Sequence, residues 1–124
     1  MLDPVIILCI TLVAEASGIG GSAPLERVYS VLSNRAYYAS QSRSVERMAL
    51  EAQKPKQFSC WNPENKDLIE RTMRSTFALS VALKIVEQDR IRPEVGKARW
   101  FLSNRLYHSK QCQKWAKGKG VRIE

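Results

Sequence analysis

Glu15 has the surroundings best suited to chemistry. It closes an apolar stretch at Leu12-Val13-Ala14-Glu15-Ala16-Ser17-Gly18, beside a glycine-rich turn rather than among other charges. A carboxyl group placed there is partly stripped of water, which disfavours its ionised form and raises its pKa. A general acid needs that condition to keep a proton near neutral pH. The competing reading is an ordinary surface glutamate, although a negative charge at a helix carboxyl end opposes the helix dipole. Other chemistries have less to draw on. His108 is the only histidine, so an HExxH protease and a His-rich metal site are excluded by counting. Cys9, Cys60 and Cys112 stand 51 and 52 positions apart, far from Cys-x-x-Cys spacing, and an odd number cannot all pair. Free buried thiols are the reading adopted, with a Cys60 to Cys112 bridge as the alternative. No metal and no organic cofactor is expected.

The elements that must position Glu15 can be read from caps and periodicity. Asp3-Pro4 is a helix cap and first-turn pair ahead of the apolar run Val5 to Ala14, which predicts a buried helix from Asp3 to Ala16. That run is about half of the ~20 residues a membrane span needs, so no transmembrane span is expected. A cleaved signal peptide is the rival reading, but Asp3 stands where its positive region belongs. Ser17 to Ser22 carries three glycines and ends the helix. Leu25, Val28, Tyr29, Leu32 and Ala36 then recur at helical spacing, which predicts a second helix from Ala23 to about Ser40. Ser44 caps a third, Val45 to Gln53, with Val45, Met48 and Ala49 on one side and Glu46, Arg47 and Glu51 on the other. Asn62-Pro63-Glu64 opens a long helix reaching Gln88, whose apolar half from Phe77 to Val86 is expected to run through the interior. Ala98 to Leu102 and Val121 to Ile123 suit short strands around a loop from Ser103 to Lys119. The fold expected is a single, mainly α domain over residues 1 to 124 with a small carboxyl-terminal β element.

Composition narrows the partners. The 124 residues are 44% hydrophobic and 26% charged, which suits one core and excludes disordered and fibrous classes. Twenty basic against twelve acidic residues leave a net charge of +8, and the segment from 97 onward holds eight basic residues against Glu124 alone. Such a charge favours a polyanionic partner.

Several motifs carry a resemblance. Val13-Ala14-Glu15-Ala16-Ser17-Gly18, Val31-Leu32-Ser33-Asn34-Arg35, Lys54-Pro55-Lys56-Gln57-Phe58-Ser59-Cys60, Ala98-Arg99-Trp100-Phe101, Tyr107-His108 and Lys114-Trp115-Ala116 follow one another from residue 5 to about 123. In that order they resemble the spore-cortex-lytic and cell-wall hydrolase family, whose catalytic domain belongs to the lysozyme-like lytic transglycosylase group. Ile19 stands where that family usually has a second Glu, and the chain reaches Glu124 without the family's closing glycine, histidine and aromatic strand.

The resemblance implies an α+β lysozyme-like domain that cleaves peptidoglycan glycan strands at the bacterial cell wall, as a secreted, periplasmic or phage-delivered lysin. Glu15 is then the catalytic acid/base. Asn34, Gln57 and Ser59 would orient sugar hydroxyl and acetamido groups, while Phe58, Tyr107 and Trp115 would offer apolar walls. His108 would bond substrate or support Glu15. Each also has a structural use: Asn34 can brace a helix, Phe58 can belong to the core, and His108 can be a loop residue. Ordinary retaining glycosidases add a second carboxylate ~5 Å away. Glu26, Glu46 and Glu51 are expected on polar faces, so a single-glutamate transglycosylase fits better. The basic carboxyl-terminal segment would hold anionic wall polymer through Lys110, Lys114, Lys117, Lys119 and Arg122. The rival of a different class is a non-enzymatic nucleic-acid-binding protein, in which those charges meet phosphates and Trp100 or Trp115 stack on bases.

Overall fold

A computed structural model describes residues 2–16, 21–54, 58–102 and 121–123. The Asp3 carboxylate accepts the Val5 backbone N–H at 2.8 Å, and the first helix, α1, runs Pro4–Ala16 as the Asp-Pro pair requires. Four further helices pack against it: α2 (Ala23–Ser40), α3 (Val45–Ala52), α4 (Lys66–Met73) and α5 (Thr76–Glu87). Enclosure explains why α1 is apolar almost all round. Leu8, Ile10 and Leu12 are fully buried, each contributing about 1.5–3 kcal/mol of transfer free energy. None of the described helices is long and apolar enough to cross a membrane.

Two expectations need correction. The segment from Phe77 to Val86 is not the central element. Phe77 is 82% and Leu83 40% exposed, and α5 buries Ala82, Ile85 and Val86 against its neighbours. The helix expected from Asn62 to Gln88 is also two helices. Pro63–Asn65 forms a 3-10 turn, and α4 stops at Met73, where the Arg74 and Ser75 N–H groups donate to the Arg71 and Thr72 carbonyls at 3.1 and 2.9 Å. These short-range bonds tighten the last turn and close the helix. The Thr72 and Ser75 hydroxyls donate to the Leu68 and Arg71 carbonyls, the local competition that makes such a run a stopping place.

Ser44 caps α3 by accepting the Arg47 N–H at 3.2 Å. Glu51, expected on the outer face of this helix, is buried instead, paired with Arg35 of α2 at 3.9 Å and with Lys54 at 2.6 Å. A carboxylate tolerates that burial because two cations attend it.

After α5 the chain turns at Asp89, whose φ of 48° is open to aspartate more readily than to most side chains. It then runs along one side of α2. The Tyr29 hydroxyl donates to Asp89 at 2.6 Å, and the Arg92 N–H donates to Ser30 Oγ at 2.8 Å. The Arg92 guanidinium pairs with Glu26 at 3.4 Å, and the Asn34 amide donates to the Gly96 and Ala98 carbonyls at 2.8 and 2.9 Å. Glu26, Ser30 and Asn34 lie four positions apart, so one stripe of α2 fastens the whole segment. Beyond it, Trp100–Leu102 (β1) and Val121–Ile123 (β2) pair in parallel, Trp100 opposite Val121. The described fold is thus a compact, mainly helical domain; the loop expected from Ser103 to Lys119 lies outside the described residues.

Candidate active site

Glu15 sits on the last turn of α1, two residues beyond the buried Val13 and next to the buried Ala16. The residue is exposed, yet its carboxylate turns toward the Ser59–Trp61 3-10 turn and accepts the backbone N–H of Cys60. Loss of water raises its pKa above the ordinary 4.5, and the bond from Cys60, which favours the charged form, opposes that only in part. A carboxyl backed by a packed turn and open on its other side can hold a proton and still meet a ligand from solvent.

The turn that backs it is fastened to α1 one helical turn below. The Trp61 indole N–H donates at 2.8 Å to the Thr11 hydroxyl, which is fully buried and donates at 2.7 Å to the Ile7 carbonyl. Thr11 and Trp61 were not among the residues the sequence singled out. The readable signal was a lone hydroxyl inside an otherwise apolar run, since a buried polar group requires a partner. Thr11→Val keeps the shape and removes the acceptor from the Trp61 N–H. It is expected to cost about 1–3 kcal/mol in a denaturant melt. If Glu15 is catalytic, the loosened turn also lowers the turnover rate more than substrate affinity.

Neither described cysteine can act as a thiolate near neutral pH. Cys9 and Cys60 are buried free thiols, and burial pushes them up to about 11 and about 12, with Glu87 and Glu15 respectively adding to the effect. Cys112 lies outside the described residues. No cluster of three or more His, Cys, Asp or Glu that could hold a metal ion exists among the described residues.

The structure separates the other candidates by role. Asn34 serves as a brace: both amide hydrogens go to backbone carbonyls of residues 96 and 98, and its Oδ1 accepts from Arg43 at 2.9 Å. Phe58 belongs to the core, 7% exposed, with the Arg35 guanidinium 4.8 Å from its ring centroid. The Phe58 ring is enclosed, and the Asn34 side chain is engaged by these bonds. Gln57, the Ser59 side chain, Tyr107, His108 and Trp115 lie outside the described residues, as do the lysines from 110 onward. Glu26 is bound to Ser22 and Arg92, Glu51 is paired within the core, and Glu46 is exposed on α3. Asn34→Ala is expected to cost about 1–3 kcal/mol. Limited proteolysis should then cut earlier between residues 90 and 99.

Compared with known proteins, the chain matches no family, no curated protein and no solved structure.

Proposed function

We propose that this chain is a peptidoglycan glycan-strand-cleaving enzyme of the muramidase or lytic transglycosylase type. The observation that carries the reading is the Glu15 carboxyl, exposed at the end of a buried helix with its pKa raised above the ordinary value by loss of water. Breaking a glycosidic bond requires a proton on the departing oxygen and electron density for the oxocarbenium-like carbon left behind. Glu15 supplies the proton. The C6 hydroxyl of the same muramic acid then attacks the anomeric carbon and gives its proton to the Glu15 carboxylate, which restores the acid and leaves a 1,6-anhydro end. One carboxylate suffices for this sequence, in keeping with Glu26 and Glu51 being occupied elsewhere. Water in place of the C6 hydroxyl would leave a reducing end.

In this reading the domain is of the lysozyme-like α+β class, with the short β1–β2 pairing as its small β element. Gln57, Ser59, Tyr107, His108 and Trp115 are the residues proposed to contact the sugars, while Asn34 and Phe58 serve the fold. Catalysis uses no metal or organic cofactor, and the site of action is the bacterial cell wall, in the manner of a phage-type lysin. Mass spectrometry of fragments released from isolated walls, for wild type and Glu15→Gln in parallel, tests the proposal. Anhydromuramic ends mean transglycosylation and reducing ends mean hydrolysis. Equal fragment release by both proteins rejects the assignment of Glu15.

A further inference from the structure

A cleft of about 530 Å³ opens between the carboxyl end of α2 and the segment that carries Lys97 and Arg99. Glu15 is not among its lining residues. Tyr37, Tyr38, Arg43, Lys97 and Arg99 are among its lining residues, as is Asn34, and none of the described lining residues is acidic. Low-dielectric walls focus the field of clustered cations on such an opening.

Both guanidinium groups are set in place before any ligand arrives. Arg43 lies 4.6 Å from the Tyr37 ring centroid, and its Nη1 donates to Ser33 Oγ at 3.0 Å and Asn34 Oδ1 at 2.9 Å. Arg99 lies 3.7 Å from the Tyr38 ring centroid. A guanidinium stacked through its flat face keeps its N–H donors around its edge, where their fork matches the oxygens of a phosphate or carboxylate. Ordering paid in advance is ordering that binding does not have to supply. The cleft is within the range of sites that take whole small molecules, so it accommodates more than a bare anion.

We propose that this cleft binds the phosphodiester groups of an anionic polyol-phosphate polymer, of the kind that accompanies peptidoglycan in bacterial walls, at a place separate from Glu15. Several phosphates in succession suit three clustered cations better than a lone charge does. Nucleic acid carries the same linkage, but single-stranded binding draws on open aromatic faces for base stacking. Here a guanidinium stacks on one face of each tyrosine, so ring and cation together present a charged surface to a backbone anion. The choice of a wall polymer as the source rests on the glycan-cleaving reading, whereas the phosphodiester chemistry does not.

The test titrates the full chain with a synthetic glycerol-phosphate oligomer free of glycan, at fixed low salt, by calorimetry. Arg43→Gln/Arg99→Gln is compared with Arg71→Gln/Arg74→Gln, a double variant of equal charge change at two exposed positions around the carboxyl end of α4. The cleft variant is expected to bind about 10- to 100-fold more weakly, and the α4 variant within about threefold of wild type. Equal losses in the two variants, or no binding by wild type, overturn the proposal. A single-stranded DNA oligomer of the same charge that binds more tightly than the glycerol-phosphate oligomer overturns the wall-polymer assignment. Because Arg43 also bonds Ser33 and Asn34, Lys97→Gln/Arg99→Gln carries the comparison if the first variant melts early. Cleavage of walls stripped of phosphate polymer, measured in parallel, is expected to be unchanged in the cleft variant. Oligomer binding without any wall cleavage by wild type sinks the glycan-cleaving reading and leaves the cleft assignment standing.

Discussion

Glu15→Gln is expected to lower the rate of turbidity loss on isolated cell walls by about 10²–10⁴-fold, the range a general acid/base contributes. The substitution is chosen for what it preserves. A Gln side chain has nearly the same shape, and its carbonyl can still accept the Cys60 N–H that the carboxylate accepts, so the end of α1 stays seated. What it loses is the transferable proton. Lysis undiminished in the variant would refute the assignment.

The raised pKa of Glu15 adds a pH signature. Cleavage needs the protonated form first, so the rate of wild type should fall as pH rises through the folded-state pKa, at a pH above the ordinary 4.5. Stability has a related sign. In the window between the ordinary and the raised value the folded chain holds more protons than the unfolded chain, so stability decreases as pH rises through it and is restored on acidification. Glu15→Gln should flatten that part of the stability profile. Exposure of the residue keeps the stability effect small, which makes the rate profile the better readout.

Leu12→Ala is expected to have the largest effect on the fold itself. Leu12 is fully buried and lies three residues before Glu15 on α1. Deleting its side chain removes transfer free energy and leaves a cavity that packed neighbours fill only in part, at a cost of about 2–5 kcal/mol. Domains are stable by about 5–15 kcal/mol, so this one change consumes a large share. Ile6→Ala, on the same helix but at a residue 46% exposed, should stay within about 1 kcal/mol. The pair is checked by urea melts with a common slope. A loss at Leu12 no larger than at Ile6 would contradict the central placing of α1.

Much of the helical body was legible because its signals are local. Asp3-Pro4 starts α1, Ser44 starts α3, and the glycines after Ala16 separate α1 from α2, each through bonds between residues a few positions apart. The break between α4 and α5 was not legible. The run through Thr72 and Ser75 has no proline or glycine, and hydroxyl bonds back to the preceding turn, as Thr72 and Ser75 make here, also occur inside continuous helices.

Two apolar segments, 5–14 and 77–86, were both expected in the interior, although the first is the more apolar, with Thr11 its one polar residue against Ser80 and Lys84 in the second. Packing decided between them. α1 packs against all four other helices, whereas Phe77 on α5 faces water. Glu51 was misread for a related reason: a charged residue at a helical position reads as exposed unless its partner is known, and Arg35 lies sixteen residues earlier on another helix. Asn34 likewise stood out as a motif residue, but that both of its amide hydrogens serve the backbone at 96 and 98 depends on a segment more than sixty residues away.

The linear order of residues by itself determined the helix caps, the apolar run that becomes α1, the excess of positive charge, and the lone carboxyl poised where that run ends. All of these follow from side-chain chemistry acting over a few positions. The tertiary structure alone decided which helix is enclosed, which turn donates to Glu15, and that Arg43, Lys97 and Arg99 converge on one cleft with two tyrosines. Those are contacts between residues distant along the chain, and they depend on how all the helices share one core, a balance that no local pattern encodes.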